Sequence, residues 1–160
     1  MSLKANGKLI IILDNMKLNI CDKPFLSEKE FYHLMERVNL LFTPPISDAV
    51  DIKVYSHKLY THASFIICKE SNNIIGFTAF YKNKEEKQLY VSLICVESSF
   101  QGLGVGGRML AMLSSLKTDG FYSIGLEVVK ANKGAYNFYK KHGFIEQEDR
   151  GKKILMHKML

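Results

Sequence analysis

At 160 residues with a formal net charge of +6, the chain is long enough to fold around its own core and too mildly charged to argue for nucleic acid. Its apolar and charged fractions, 47% and 24%, exclude the disordered and collagen-like classes. No apolar run reaches the about 20 residues of a membrane span. No small-residue cleavage signal follows the apolar Leu9–Leu13 run, and Cys21, Cys68 and Cys95 have neither disulfide nor metal-ligand spacing, so a reduced, cytoplasmic, metal-free protein is expected.

The chain reads as a single domain over 1–160, with residues 1–16 an irregular extension. Lys17 to Cys21 alternates as a first strand that ends at an Asp22-Lys23-Pro24 turn. Ser27 and Glu30 form a capping box for a helix that buries Phe31, Leu34, Met35 and Val38, and Thr43-Pro44-Pro45 stops it. A shorter helix from about Asp48 to Leu59 turns Ile52, Tyr55 and Leu59 inward. Phe65–Lys69 and Ile74–Tyr81 are strands joined by Ser71-Asn72-Asn73, and a charged connection, Lys82 to Gln88, leads into a third. Together they form an antiparallel meander.

The third strand, Leu89 to Val96, is apolar almost throughout, as a strand covered on both faces would be. After it come Gln101-Gly102-Leu103-Gly104-Val105-Gly106-Gly107 and a helix whose buried face is Met109, Leu110, Met112, Leu113 and Leu116. A glycine-rich turn at a helix N-terminus presents unpaired N–H groups beside the positive end of the dipole, an anion site suited to phosphate. The competing reading is a close-packed turn that needs glycine for space. Asp119-Gly120 closes the helix, and Ser123–Val129 is the next strand, parallel to Leu89–Val96 by the handedness of such crossovers. A helix from Asn132 to His142 ends at Gly143, and strands at Phe144-Ile145 and Ile154–Leu160 complete a mixed sheet of six or seven strands with about four helices.

Gly102-x-Gly104-x-x-Gly107 with Glu127 twenty residues on matches the dinucleotide fingerprint in form. Its context does not fit. Glu97 to Gln101 separate strand from glycines, several strands come earlier, and too little chain follows for a doubly wound domain. A phosphate-binding P-loop fails because no Gly-Lys-Ser/Thr follows the glycines.

Gln101-x-x-Gly104-x-Gly106 after a buried strand, followed by Asn132-x-x-Ala135-x-x-x-Tyr139-Lys140-Lys141-x-Gly143-Phe144, resembles the acyl-CoA-binding motifs of the GNAT superfamily of N-acetyltransferases. The resemblance covers about Lys17 to Leu160. It implies an α/β (α+β) GNAT-like fold with a splayed parallel central pair, acetyl-CoA as acyl donor, and direct transfer to a primary amine on a small molecule or peptide. The protein would be a monomer or homodimer that engages neither nucleic acid nor membrane.

By the same resemblance, the backbone of Gly102, Leu103, Gly104, Val105, Gly106 and Gly107, with Gln101, would hold the coenzyme pyrophosphate. The backbone of Ile94, Cys95 and Val96 would meet the pantetheine arm, with Asn132 as a further contact or a helix N-cap. Tyr139 would be the general acid at the sulfur. Glu127, in Leu126-Glu127-Val128, matches the general base of the ribosomal-protein alanine acetyltransferases, and a carboxylate in an apolar strand should have a raised pKa. Water is the other route for that proton. The acceptor cleft would involve Phe42 to His62 and Tyr81 to Gln88, with Tyr55, Tyr60, Tyr81, Glu85 and Glu86 as lining. A non-catalytic acyl-CoA-binding regulatory module is the alternative reading.

Overall fold

The computed structural model describes residues 15–23 and 26–160. The Leu9–Leu13 run and Pro24 of the expected turn lie outside them. So does the expected 1–16 extension, apart from Asn15 and Met16, and Met16 already opens a strand.

One seven-stranded sheet carries the fold: β1 (Met16–Cys21), β2 (Ser64–Glu70), β3 (Asn73–Asn83), β4 (Gln88–Val96), β5 (Ser123–Val129), β6 (Ile145–Arg150) and β7 (Lys153–Met159), in the order β1-β2-β3-β4-β5-β7-β6. Among the described residues only β4 and β5 pair in parallel, as expected of strands joined by a crossover helix. The helices among the described residues are α1 (Glu28–Asn39), α2 (Ile52–His62), α3 (Val105–Ser114) and α4 (Lys133–Lys141). A short 3₁₀ turn at Ile46–Asp48 occupies the start expected for the second helix. The true cap is Asp51, whose carboxylate accepts from the Val54 amide at 2.9 Å.

The capping box of α1 is formed in both directions. The Ser27 amide donates to Glu30 Oε2 at 2.8 Å, and the Glu30 amide donates to Ser27 Oγ at 3.3 Å. α1 and α2 bury Phe31, Met35, Val38 and Leu59 on one face of the sheet, over Phe65, Ile67, Phe77 and Ala79. α3 and α4 cover the other face, where Met109, Leu110, Leu113 and Tyr139 meet Ile66, Phe80, Ile124, Leu126 and Met156. Cys68 and Cys95 are buried thiols, whereas Cys21 is half-exposed on edge strand β1.

β4 corrects the expectation of a strand covered on both faces. Its residues alternate between buried and half-exposed, and the buried set changes side midway. Leu89 and Val91 join the α3–α4 core, while Leu93 and Cys95 join the α1–α2 core. Side chains alternate with a period of two, so this change needs one extra residue. Ala79 opposes Leu93 and Phe80 opposes Val91, which leaves Ser92 as the bulge. Beyond it Ile94 and Val96 turn toward α3 and α4.

Candidate active site

The β4–β5 ladder stops at Val91–Leu126, one residue before the bulge. Past that point the two strands have no register partners in each other, so the expected splay of the central pair is present. Along the open edge, backbone direction alternates. Glu97 donates its amide to Ile75 O of β3 at 2.8 Å. Cys95, two residues earlier, therefore also directs its backbone to β3, and its carbonyl oxygen lies 2.8 Å from where a Cβ on Gly76 would stand. Of the expected triplet, only Ile94 and Val96 direct amide and carbonyl groups into the splay, and the Val96 carbonyl accepts from Gln101 Nε2. Cys95 contributes packing, and burial pushes its thiol up to about 12.

A cavity of about 710 Å³ opens here. Ile94, Cys95 and Val96 form one wall, the loop from Gln101 to Gly107 without Leu103 forms the floor, and Asn132, Phe138, Tyr139 and His142 form the far wall. Leu41, Phe42 and Thr43 of the α1–α2 loop close the remaining side. Leu103, expected with the loop, is off the wall. Gln101 turns back, and its Nε2 donates to Val96 O at 3.0 Å, so the side chain fixes the loop to the strand.

The glycines of the loop have two different physical reasons. Gly102 and Gly104 take φ of +75° and +82°, and a Cβ there would meet nothing within 4 Å, so conformation alone requires glycine. Gly106 and Gly107 sit under α4: added Cβ atoms would lie 3.0 Å from the Phe138 ring and 2.7 Å from His142 Nε2. The anion-site and close-packing readings thus apply to successive glycines. Arg108 makes the first amide bond of α3, to Gly104 O at 3.0 Å. The amides of Val105, Gly106 and Gly107 are consequently the orphan donors of the helix start and open on the cavity, which suits a phosphate. Arg108 itself is off the cavity wall and places Nη1 3.6 Å from Met16 Sδ.

On the far wall Asn132 caps α4, its Oδ1 accepting from the Ala135 amide at 3.0 Å. That use leaves its amide group for the cavity. The helix ends in a Schellman motif: Phe144 donates to Tyr139 O at 3.0 Å and Gly143 to Lys140 O at 3.1 Å. Phe144 packs edge-on to Tyr139 at 5.6 Å between centroids, and Phe138 does so at 5.3 Å. Burial alone raises the Tyr139 phenol far above its ordinary value, so it stays protonated.

Glu127 is not on the cavity wall. Its neighbours Leu126 and Val128 face the α3–α4 core, so Glu127 faces the opposite side of the sheet. Its expected apolar surroundings are absent. Tyr90 donates to its Oε1 at 3.2 Å, Arg150 Nη1 donates to the same oxygen at 3.1 Å, and Lys153 Nζ lies 3.8 Å from Oε2. The Tyr90 phenol is pushed up to about 12, first by burial and then by the Glu127 charge. Ser92 and Glu127 are the first residues past the last β4–β5 pair, so they flank the gap that opens where the two strands part.

The expected acceptor lining divides. Tyr55 donates to Ser92 O at 3.2 Å and exchanges a hydrogen bond with Ser92 Oγ at 2.8 Å, which places it at the gap. Tyr81 stands near it with a buried hydroxyl that makes no well-formed hydrogen bond among the described residues. Tyr60 points elsewhere and donates to Leu26 O. Glu85 and Glu86 are in the β3–β4 turn, at the opposite end of β4, about 20 Å from the splay at roughly 3.3 Å per residue. They are excluded from the site.

Sequence reasoning missed Tyr90, Ser92, Arg150 and Lys153 at the gap and Phe138 and His142 over the glycines. The i, i+4 spacing of Phe138 and His142 was the available signal for the second group.

The profile of the acetyltransferase (GNAT) family matches residues 30–144. An uncharacterized N-acetyltransferase of Methanocaldococcus jannaschii is 31% identical over 90 residues, which are 52% of this chain and 40% of that relative's length. The match thus spans less than half of the relative. The PaiA N-acetyltransferase of Thermoplasma acidophilum, solved in complex with coenzyme A, superposes with a TM-score of 0.70 at 16% identity, over 90% of this chain and 99% of its own. A GNAT family acetyltransferase from Elizabethkingia anophelis with acetyl-CoA bound gives 0.68 at 18% identity, over 92% and 99%. At these identities the likeness establishes the fold.

Proposed function

The chain belongs to the GNAT family of acetyltransferases, and from that membership we propose that it transfers the acetyl group of acetyl-CoA to a primary amine by direct attack. One observation carries the reading. A single cavity gathers the orphan amides of α3, the open edge of β4 at Ile94 and Val96, and the buried Tyr139. Phosphate, pantetheine amides and thioester sulfur are the chemistries those three features suit.

In this scheme the Val105, Gly106 and Gly107 amides hold the pyrophosphate, and Ile94 and Val96 pair with the pantetheine arm. The amine enters as the free base, because an ammonium has no lone pair. Its nitrogen forms the new bond to the acetyl carbon as the carbon–sulfur bond breaks. Glu127 receives the amine proton, directly or across one water. Tyr139 donates a hydrogen bond to the sulfur as negative charge develops and supplies the proton of the released thiol. Products are the N-acetyl amine and coenzyme A.

A second reading, a module that binds acyl-CoA without turnover, is favoured by one feature: Glu127 is tied to Arg150 and Lys153 rather than free. An amine panel with acetyl-CoA, read by thiol release, separates the two. Release that depends on an amine supports transfer. Thermal stabilisation by coenzyme A but not NAD, with no thiol from any amine, establishes the module instead.

A further inference from the structure

Across the gap from the cavity runs a strip of polar and aromatic side chains on the α2 side of the sheet. From α2 come Tyr55, hydrogen-bonded to Ser92, and Lys58, whose Nζ stands 6.0 Å from the centre of the Tyr81 ring. From β4 comes Tyr90, which reaches Glu127 on β5. Arg150 and Lys153 of the β6–β7 hairpin close the far end around the same carboxylate. The strip begins at Ser92 and Glu127, where the paired part of β4–β5 ends, so an amine seated on it is presented to the splay.

Its charge is lopsided. The cations Lys58, Arg150 and Lys153 stand against the carboxylates Glu127 and Glu148, and Glu148 is already held by Arg150 Nε and Nη2 at 3.0 and 2.9 Å. Arg150 therefore spends its donors on protein carboxylates. Lys58 makes no ion pair among the described residues, and it stands at the end of the strip away from Glu127. The remaining recognition capacity is thus one carboxylate edge, Glu127 Oε2, which Lys153 Nζ approaches to 3.8 Å without hydrogen-bonding it, and one cation, Lys58, separated by phenol rings.

Resting on the acetyltransferase reading above, we infer that this strip is the acceptor subsite and that it selects a zwitterionic amine, an amino acid with its amine toward Glu127 and Ser92 and its carboxylate toward Lys58. A polyamine or aminoglycoside would bring further positive charges against Lys58, Arg150 and Lys153 with a single carboxylate to receive them. A cationic surround also favours the neutral form of the bound amine, the form that attacks.

The test uses matched pairs: aromatic and aliphatic amino acids and their amides, together with spermidine. Binding to the coenzyme A-saturated protein is read by calorimetry, and turnover with acetyl-CoA by thiol release, each corrected for the fraction of neutral amine. The acid is expected to bind about fivefold more tightly than its amide, the upper range of an exposed charge pair, with spermidine weaker than both. K58A should reduce the acid-to-amide ratio to about twofold, and K58R should keep it. Equal or weaker binding of the acid, tighter binding of spermidine, no binding by any member, or a ratio unchanged in K58A overturns the inference. Acid preference in calorimetry without thiol release would leave the subsite standing and defeat the proposed turnover. Thiol release led by spermidine would do the reverse.

Discussion

His142 Nε2 lies 2.7 Å from the point where a Cβ on Gly107 would stand. The ring cannot withdraw freely, because its Nδ1 hydrogen-bonds to Phe138 O at 2.8 Å and the Phe138 ring stacks against it at 4.4 Å. A methyl at Gly107 must therefore push α4 away from the start of α3. Gly107→Ala is expected to cost about 1–3 kcal/mol by overpacking and to weaken coenzyme A binding as the cavity wall shifts. The double variant G107A/H142A should recover most of the stability, measured by urea unfolding. Gly104→Ala, strained by its positive φ in open space, should cost about 1–2 kcal/mol and gain nothing from H142A.

Tyr139→Phe isolates the phenol. No protein group among the described residues hydrogen-bonds its hydroxyl, so folding stability and coenzyme A affinity should barely change. Turnover at saturating acetyl-CoA should fall by about 10² to 10⁴, the ordinary contribution of a positioned proton donor. Unchanged turnover in single-turnover thiol release removes Tyr139 from the chemistry.

Glu127→Gln keeps the shape of the strip and removes its proton acceptor. The kcat/KM of the variant should drop by about 10² or more, with coenzyme A affinity unchanged. A kcat/KM equal to the parent's assigns the proton to water alone.

Glu85 and Glu86 supply a control. Because the β3–β4 turn is at the far end of the sheet, E85K/E86K should leave kcat and KM for any amine within twofold. A larger change would bring the turn back into the site.

Alkaline pH should destabilise the fold, chiefly through the three groups with the largest shifts. Burial raises Cys95 from its ordinary 9.0 to about 12, Tyr90 from 10.0 to about 12, and Tyr139 further still. The unfolded chain loses these protons first and so binds fewer than the native state. Stability is therefore fully present below about pH 9 and declines as pH rises through the folded values. Urea midpoints between pH 8 and 11 should fall, and Cys95→Val should make the fall shallower without moving its onset, because burial also raises the Cys68 thiol.

Much of the architecture was legible because it is written locally. Ser27 with Glu30, Asn132 as a cap, Gly120 and Gly143 as terminators, and the glycine loop each declare themselves within a few residues. The bulge at Ser92 was not legible, since a run of apolar residues looks the same whether it buries one face or trades faces midway. The ion pairs of Glu127 were hidden for another reason. They depend on β7 lying between β5 and β6, a non-sequential order that no local pattern encodes. The apolar surroundings anticipated for that residue are replaced by Arg150 and Lys153 of β6 and β7.

That strand order also has a consequence for biogenesis. β7 follows β6 in sequence yet slots between it and β5, pairing all seven residues from Ser123–Met159 to Val129–Lys153. Until it emerges from the ribosome, β5 has an empty flank, β6 has no neighbour, and the carboxylate at the gap lacks its cationic companions. A nascent chain can assemble the meander and the coenzyme loop early, but the wall that meets the acceptor closes only when β7 arrives. Under the proposed function, acquisition of the acceptor's binding surface would thereby be coupled to completion of the sheet.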